Sequence, residues 1–235
     1  MIQLLVSVRE VKEVWRAVQG GASILDIKEP RNGPLGRSSD LMIEKILASN
    51  SNKLAVSVAL GEIVDCSSSS SVSWMKVQFY KLGLSQSMGM EGLGEKIEST
   101  RKAFGILKEQ FIVVVYADSE RAGCMAAEDV ILIARDFGWK GILIDTWCKD
   151  GTSLFDWMSL DRLRHLKKVA RDRGISVGLA GSIKYSDISK VLQTGAEIMG
   201  IRGLACINGK RENSIATERV KRVRDELNRA DTNCG

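Results

Sequence analysis

The chain has 235 residues, 44% of them hydrophobic, and its 34 basic and 29 acidic side chains leave a net charge of +5. That hydrophobic content is enough for one large core and excludes a disordered chain, while no window approaches the roughly 18 continuous apolar residues that would span a membrane. The positive balance suits small anionic substrates as well as nucleic acid. The most basic stretch, Arg219-Val220-Lys221-Arg222-Val223-Arg224, alternates with apolar residues and carries no interleaved aromatics for base stacking, so it reads as a solvated helix face and no nucleic-acid partner is expected.

Both prolines, Pro30 and Pro34, fall in one loop, so no proline-rich linker divides the chain and residues 1–235 are read as one domain. The cysteines at 66, 124, 148, 206 and 234 are odd in number and form no Cys-x-x-Cys pair. The single histidine, His165, leaves no His/Cys metal cluster. Reduced thiols and a cytoplasmic location are expected, because Met1 to Val8 is followed at once by Arg9, Glu10, Lys12 and Glu13 rather than by a signal-peptide pattern.

In chain order, Ile2 to Val8 is an apolar strand. Glu10 to Gln19 places Val11, Val14, Trp15 and Val18 at helical spacing and ends at Gly20-Gly21. A strand from Ile24 then ends in Asp26-Ile27-Lys28-Glu29-Pro30 and runs into the turn-rich Arg31 to Gly36. A helix is predicted over 39–48 and a third strand over 53–60. The serine run 67–71 is read as a loop, 75–82 as the fourth strand and 91–108 as a long helix. Phe111 to Tyr116 is the most apolar strand, followed by a helix over 126–136. Gly141 to Asp145 is the sixth strand, with a helix over 160–173. The seventh strand (175–179) and eighth strand (197–201) are separated by a short helix over 186–193, and a helix over 214–229 closes the chain. Eight strands alternating with helices argue for a parallel sheet, and about 30 residues per unit match a closed α/β architecture, the (β/α)8 TIM barrel. An open doubly wound sheet would want a glycine-rich turn after the first strand, and Ser7-Val8-Arg9-Glu10 offers none.

In such a barrel the C-terminal strand ends converge on one mouth. Here they supply Asp26 and Lys28, Lys81, Asp118, Asp145 with Lys149 a few residues on, Gly181-Ser182, and Arg202-Gly203. A buried lysine with cationic neighbours is driven toward its neutral amine, the form that attacks a carbonyl to make a Schiff base. A second lysine and a carboxylate can then move the protons of enamine and aldol chemistry. One strand-end lysine is most simply an ion-pair partner of Asp26 or Asp145. Three on different strands, opposite a phosphate site, form an acid/base set. Gly181, Ser182, Arg202 and Gly203, at the seventh and eighth strand ends, are the candidate phosphate ligands. The remaining candidates have plainer readings: His165 on a basic helix surface, Cys148 without a histidine to activate it, and Trp147 and Trp157 in packing, while Tyr116-Ala117-Asp118 is read either as placing a phenol or carboxylate in the mouth or as core packing and loop capping.

Seven stretches, in order along nearly the whole chain, resemble the (5-formylfuran-3-yl)methyl phosphate synthase family of methanofuran biosynthesis. They are Leu4-Leu5-Val6-Ser7; Asp26 to Pro30 with Gly33-Pro34-Leu35-Gly36; Lys81-Leu82-Gly83-Leu84; Tyr116-Ala117-Asp118; Asp145-Thr146 with Lys149-Asp150-Gly151; Ala180 to Lys184; and Arg202-Gly203 with Ala205-Cys206. The resemblance implies a (β/α)8 lyase that joins two glyceraldehyde 3-phosphate molecules into 4-(hydroxymethyl)-2-furancarboxaldehyde phosphate. It implies Lys28 as the Schiff-base lysine and Lys81 as proton acceptor, assisted by Lys149 and Asp145, with no metal or organic cofactor. Residues 67–71 and 85–89, Trp147-Cys148 and the stretch after Cys206 depart from the archaeal members. Another class I aldolase and a non-catalytic phosphometabolite-binding barrel stay open as alternatives, as does assembly into a homo-oligomer.

Overall fold

The computed structural model describes residues 2–66 and 77–232. Eight strands close into a parallel barrel in chain order: β1 (Gln3–Val8), β2 (Ile24–Ile27), β3 (Ala55–Glu62), β4 (Phe79–Gly83), β5 (Phe111–Tyr116), β6 (Gly141–Asp145), β7 (Ser176–Leu179) and β8 (Ile198–Ile201). Closure comes from β1 pairing with β8, in the register Gln3↔Ile198 through Val6↔Ile201. The predicted α/β barrel is the fold observed.

The strands are apolar on both faces because helices cover the outside, as a parallel barrel requires. In β1 every residue after Gln3 is buried, and β6 is buried throughout. The helices are α1 (Val11–Gln19), α2 (Asp40–Ser49), α3 (Leu93–Ala103), α4 (Ser119–Ala122), α5 (Ala127–Phe137), α6 (Leu154–Trp157), α7 (Leu160–Arg171), α8 (Ile188–Thr194) and α9 (Thr217–Thr232). Polar side chains fix several starts: Ser39 accepts the Met42 N–H, and Ser153 forms a reciprocal capping box with Asp156. α9 buries Val220, Val223 and Leu227 and turns its basic residues outward or onto neighbouring loops, where Arg224 donates to the Gly21 carbonyl and the Ser23 hydroxyl.

Three expectations change. The helix predicted over 91–108 stops at Ala103, since Gly105 turns the chain at φ +69 and Arg101 folds back to donate to the Ile106 carbonyl. In α1 the expected core face includes Trp15, yet Trp15 is 64% exposed and the helix buries Glu13, Val14 and Ala17 instead. A buried ion pair, described below, turns Glu13 inward and rotates the helix away from the face that apolar spacing suggests. The fourth strand begins at Phe79, while Met75, Lys76 and the serine run 67–71 lie outside the described residues. No helix among the described residues is long and apolar enough to cross a membrane.

Candidate active site

The C-terminal strand ends open into a cavity of about 860 Å³, and all nine sequence-predicted site residues line it: Asp26, Lys28, Lys81, Asp145, Lys149, Gly181, Ser182, Arg202 and Gly203. Asp26 is wholly buried and pointed inward by β2. Its Oδ2 accepts the Ser7 hydroxyl at 2.8 Å from the neighbouring strand. Its Oδ1 lies 2.6 Å from Lys81 Nζ, an ion pair whose angles fall outside hydrogen-bond geometry. On β6, Asp145 Oδ1 accepts the Thr146 N–H and Lys149 Nζ, both at 2.7 Å, and Lys149 also donates to Thr146 Oγ1 at 3.0 Å.

The three lysines therefore fall into two classes. Lys81 and Lys149 each hold a carboxylate. Lys28, 7% exposed, holds none among the described residues, and its Nζ donates instead to the Pro34 carbonyl at 3.1 Å. Burial depresses the Lys28 pKa most. Asp145 pulls it up, Lys81 pushes it down again, and it comes to about 7 against the ordinary 10.5. For the aspartates burial works upward but loses to the lysines. Lys81 and Lys28 hold Asp26 below its ordinary value, and Lys149 and Lys28 hold Asp145 at about 2. The site thus keeps two carboxylates ionised beside one amine poised to be neutral near pH 7.

At the end of β7 the chain turns through Gly181 (φ +103) and Ser182 (φ +47). A Cβ at Gly181 would meet the Thr146 side chain and backbone at 3.0 Å, so this turn needs glycine. Among the described residues the backbone N–H groups of Gly181, Ser182 and Ile183 find no protein acceptor. Successive free N–H groups in such a turn are a concavity for an anion. A non-glycine residue held in the left-handed region costs free energy, which is typical of a site under functional constraint.

Arg202 does not fill the anion-binding role expected of it. Its five N–H donors are all spent: Nε on the Arg211 carbonyl (2.8 Å), Nη1 on the Ser7 carbonyl (2.9 Å) and Glu13 Oε2 (2.6 Å), Nη2 on Glu13 Oε1 (3.2 Å) and the Asn213 carbonyl (2.8 Å). A guanidinium with every donor committed is a strut between β1, α1 and the loop after β8, and has nothing left for phosphate.

Three further residues hold this end of the barrel in place, and of these only Asp118, at a strand end, has a local signature in the sequence. Asp118, 2% exposed, accepts the backbone N–H groups of Trp147 (2.6 Å) and Cys148 (2.9 Å), so it clamps the turn that delivers Lys149. Glu13 anchors Arg202. Arg211 reaches from the loop after β8 to the Gly33 carbonyl at 3.0 Å. Tyr116 turns away from the mouth: its hydroxyl donates to Glu62 at 2.5 Å and its ring meets Trp147 edge-on. His165 is exposed on α7. No group of three or more His, Cys, Asp or Glu among the described residues is placed to hold a metal ion.

A family model described as 4-HFC-P synthase matches residues 4–224. The chain belongs to that family. It is 34% identical over 230 residues to the (5-formylfuran-3-yl)methyl phosphate synthase of Methanocaldococcus jannaschii, covering 94% of this chain and 98% of that one. It is 32% identical over 234 residues to the protein of the same name from Methanococcus maripaludis, covering 94% and 99%. Among solved structures, phosphoribosyl anthranilate isomerase from Thermus thermophilus matches over the full length of both chains with a TM-score of 0.64 at 14% identity. 3-Hexulose-6-phosphate synthase matches with a TM-score of 0.63 at 14% identity, over 94% of this chain and 99% of that one. At such identities the likeness shows the barrel fold alone. Membership of the family agrees with the resemblance carried by the strand-end motifs.

Proposed function

We propose that this protein is a Schiff-base lyase that condenses two molecules of glyceraldehyde 3-phosphate into 4-(hydroxymethyl)-2-furancarboxaldehyde phosphate, a step toward a methanofuran-type cofactor. The observation that carries the reading is the sorting of the lysines: Lys28 is buried, free of a carboxylate and depressed to about 7, between two lysine–aspartate pairs.

The Lys28 amine attacks the carbonyl of one triose phosphate to give a carbinolamine. Lys81, ion-paired with Asp26, donates a proton to the departing hydroxyl, so water leaves and the iminium forms. The amine of Lys81, now neutral, takes the proton from the carbon next to the iminium, which yields the enamine and restores the ammonium. The enamine expels the phosphate from its own C3, leaving the enol of a pyruvaldehyde iminium on Lys28. The methylene end of that enol attacks the carbonyl of the second triose, isomerised to its ketone, dihydroxyacetone phosphate, and Lys149, held by Asp145 and Thr146, supplies the proton to the new alkoxide. The free hydroxymethyl oxygen closes the ring on the neighbouring carbonyl carbon, two waters leave, and hydrolysis of the iminium frees Lys28 and gives the aldehyde of an aromatic furan. Over the whole sequence two trioses lose one phosphate and two waters. Lysine pairs of this kind act as acid and base because each carboxylate fixes where its proton sits.

The free N–H groups at Gly181, Ser182 and Ile183, with Gly203 across the cavity, supply one phosphate position without charge. The test is incubation with glyceraldehyde 3-phosphate, following a conjugated furaldehyde chromophore and released phosphate together, with Lys28→Ala as control. The two signals should rise in equal amounts and vanish in the variant. Phosphate without chromophore, or an aldol product that keeps both phosphates, would point to a different class I aldolase.

A further inference from the structure

Two phosphates enter the proposed reaction, and the turn after β7 accounts for one. The two arginines on the far side of the mouth differ in a way that locates the other. Arg202 has spent all five of its donors. Arg211, nine residues on, has spent one: Nη2 donates to the Gly33 carbonyl at 3.0 Å, and no other donor of its guanidinium finds a protein acceptor among the described residues. Arg211 is half-buried and lines the same cavity as Lys28, Asp145 and Lys149.

The backbone of Arg211 is fixed while its head group is left available. Arg202 grips this segment from beneath, through the carbonyls of Arg211 and Asn213, both at 2.8 Å. Its side chain is then aimed by Gly33, whose neighbour Pro34 receives the Lys28 amine at 3.1 Å. Adjacent carbonyls of one loop therefore hold the Arg211 guanidinium and the Lys28 amine, which places an anion on Arg211 beside the reacting amine. Because β8, β1 and β2 are neighbours in the barrel, Arg211 bridges the β8–β2 side, while Gly181 and Ser182 occupy the end of β7. A partly desolvated guanidinium with spare donors in fork geometry is the side chain that matches a phosphate monoester in two-pronged fashion.

We propose that Arg211 is the ligand of the second phosphate, forming with the turn at Gly181–Ser182 a two-anion site that holds both triose phosphates across Lys28. Burial lowers the Arg211 pKa chiefly by desolvation, with the nearby Arg202 adding to it and Asp145 opposing. A dianionic phosphate relieves that penalty directly. The strut and the ligand are separate jobs. Arg202 sets the loop, and Arg211 presents the charge.

This inference rests on the triose-phosphate reading, and the experiment separates the two. Borohydride reduction of the enzyme with glyceraldehyde 3-phosphate would leave one triose phosphate fixed on Lys28, filling its own phosphate position. Inorganic phosphate is then titrated by calorimetry into the reduced wild type, Arg211→Gln and Arg211→Lys, each checked for an unchanged melting curve. The wild type should bind one further phosphate, and Arg211→Gln should bind it about ten- to a hundredfold more weakly, the loss expected for a charge-assisted pair. Arg211→Lys should fall between. Equal phosphate affinity in wild type and Arg211→Gln, before as well as after reduction, would overturn the assignment. If the wild type forms no adduct, the Schiff-base reading fails. The subsite is then judged on unreduced protein, where two phosphates per wild-type chain and one per Arg211→Gln chain support it and equal stoichiometry overturns it.

Discussion

Lys81 Nζ lies 2.6 Å from Asp26 Oδ1, while Lys28, two residues beyond Asp26 on the same segment, leaves that carboxylate alone and donates to the Pro34 carbonyl. The carboxylate that neutralises Lys81 therefore does not hold the Lys28 proton in place. Burial outweighs the pull of Asp145 and Asp26 on that amine, and the arrangement separates a nucleophile from its proton carrier at one strand end.

The first consequence is a pH profile. Only the neutral amine attacks a carbonyl, so the rate of imine formation should rise with pH through a midpoint near 7. Asp145 is the largest charge holding that midpoint up, and Lys81 the largest pushing it down. Asp145→Asn should therefore move the midpoint to lower pH and Lys81→Met to higher pH. Single-turnover imine formation, measured from pH 5 to 10, gives both.

Stability should show the same group with its own sign. Lys28 falls from the ordinary 10.5 to about 7 on folding, so its unfavourable burial as a cation is complete below pH 7 and relieved as pH rises from 7 to 10.5. Lys28→Met should be more stable than wild type at pH 6, by on the order of a few kcal/mol, and the advantage should shrink toward pH 10. Thermal unfolding across that range tests it. A constant difference at all pH values would mean that Lys28 is not buried as an unpaired amine.

The Arg202–Glu13 pair is fully enclosed, with Glu13 also accepting the N–H groups of Arg9 and Ile215. Removing one partner leaves a buried charge and several unmet donors. Glu13→Gln and Arg202→Met should each cost about 3–5 kcal/mol, with the double variant well short of the sum. Chemical denaturation of the four proteins measures the coupling. Additive losses would show that the two side chains stabilise the fold independently.

Asp118 should act on rate through Lys149 without touching substrate. Asn at this position can accept only one of the two N–H groups that the carboxylate now receives from Trp147 and Cys148. The turn would shift, and misplacement on the scale of an ångström costs up to about a hundredfold in turnover. Asp118→Asn should therefore lose about ten- to a hundredfold in furan formation while imine capture at Lys28 keeps its wild-type rate. Equal loss of both would make Asp118 a plain stability residue.

The fold was legible because buried parallel strands are written as apolar runs with chemistry at their ends. Phe111 to Tyr116 and Gly141 to Asp145 are found to the residue, and the lysines and aspartates at such ends do meet in one cavity. What was not legible depends on partners distant in sequence. Trp15 reads as a core residue by spacing, but Arg202, 189 positions from Glu13, turns the acidic side chain inward and leaves the indole outside. The same pairing makes Arg202 look like a phosphate ligand in sequence, because a spent guanidinium and a free one are spelled alike. Arg211 stands in a polar loop with no pattern to mark it, and its meaning emerges only when Gly33 and Pro34 are seen side by side. Asp118 is similar: a capping role could be guessed, but its clamp on Trp147 and Cys148 joins elements 29 and 30 residues apart.

The most direct measurement is borohydride reduction in the presence of glyceraldehyde 3-phosphate, followed by intact mass and peptide mapping, with Lys28→Ala beside the wild type. The expected result is a single reduced adduct on the peptide that carries Lys28, formed fastest above pH 7 and absent from the variant. An adduct on Lys81 or Lys149 instead, or no adduct on any lysine while triose phosphate still binds, would contradict Lys28 as the Schiff-base residue.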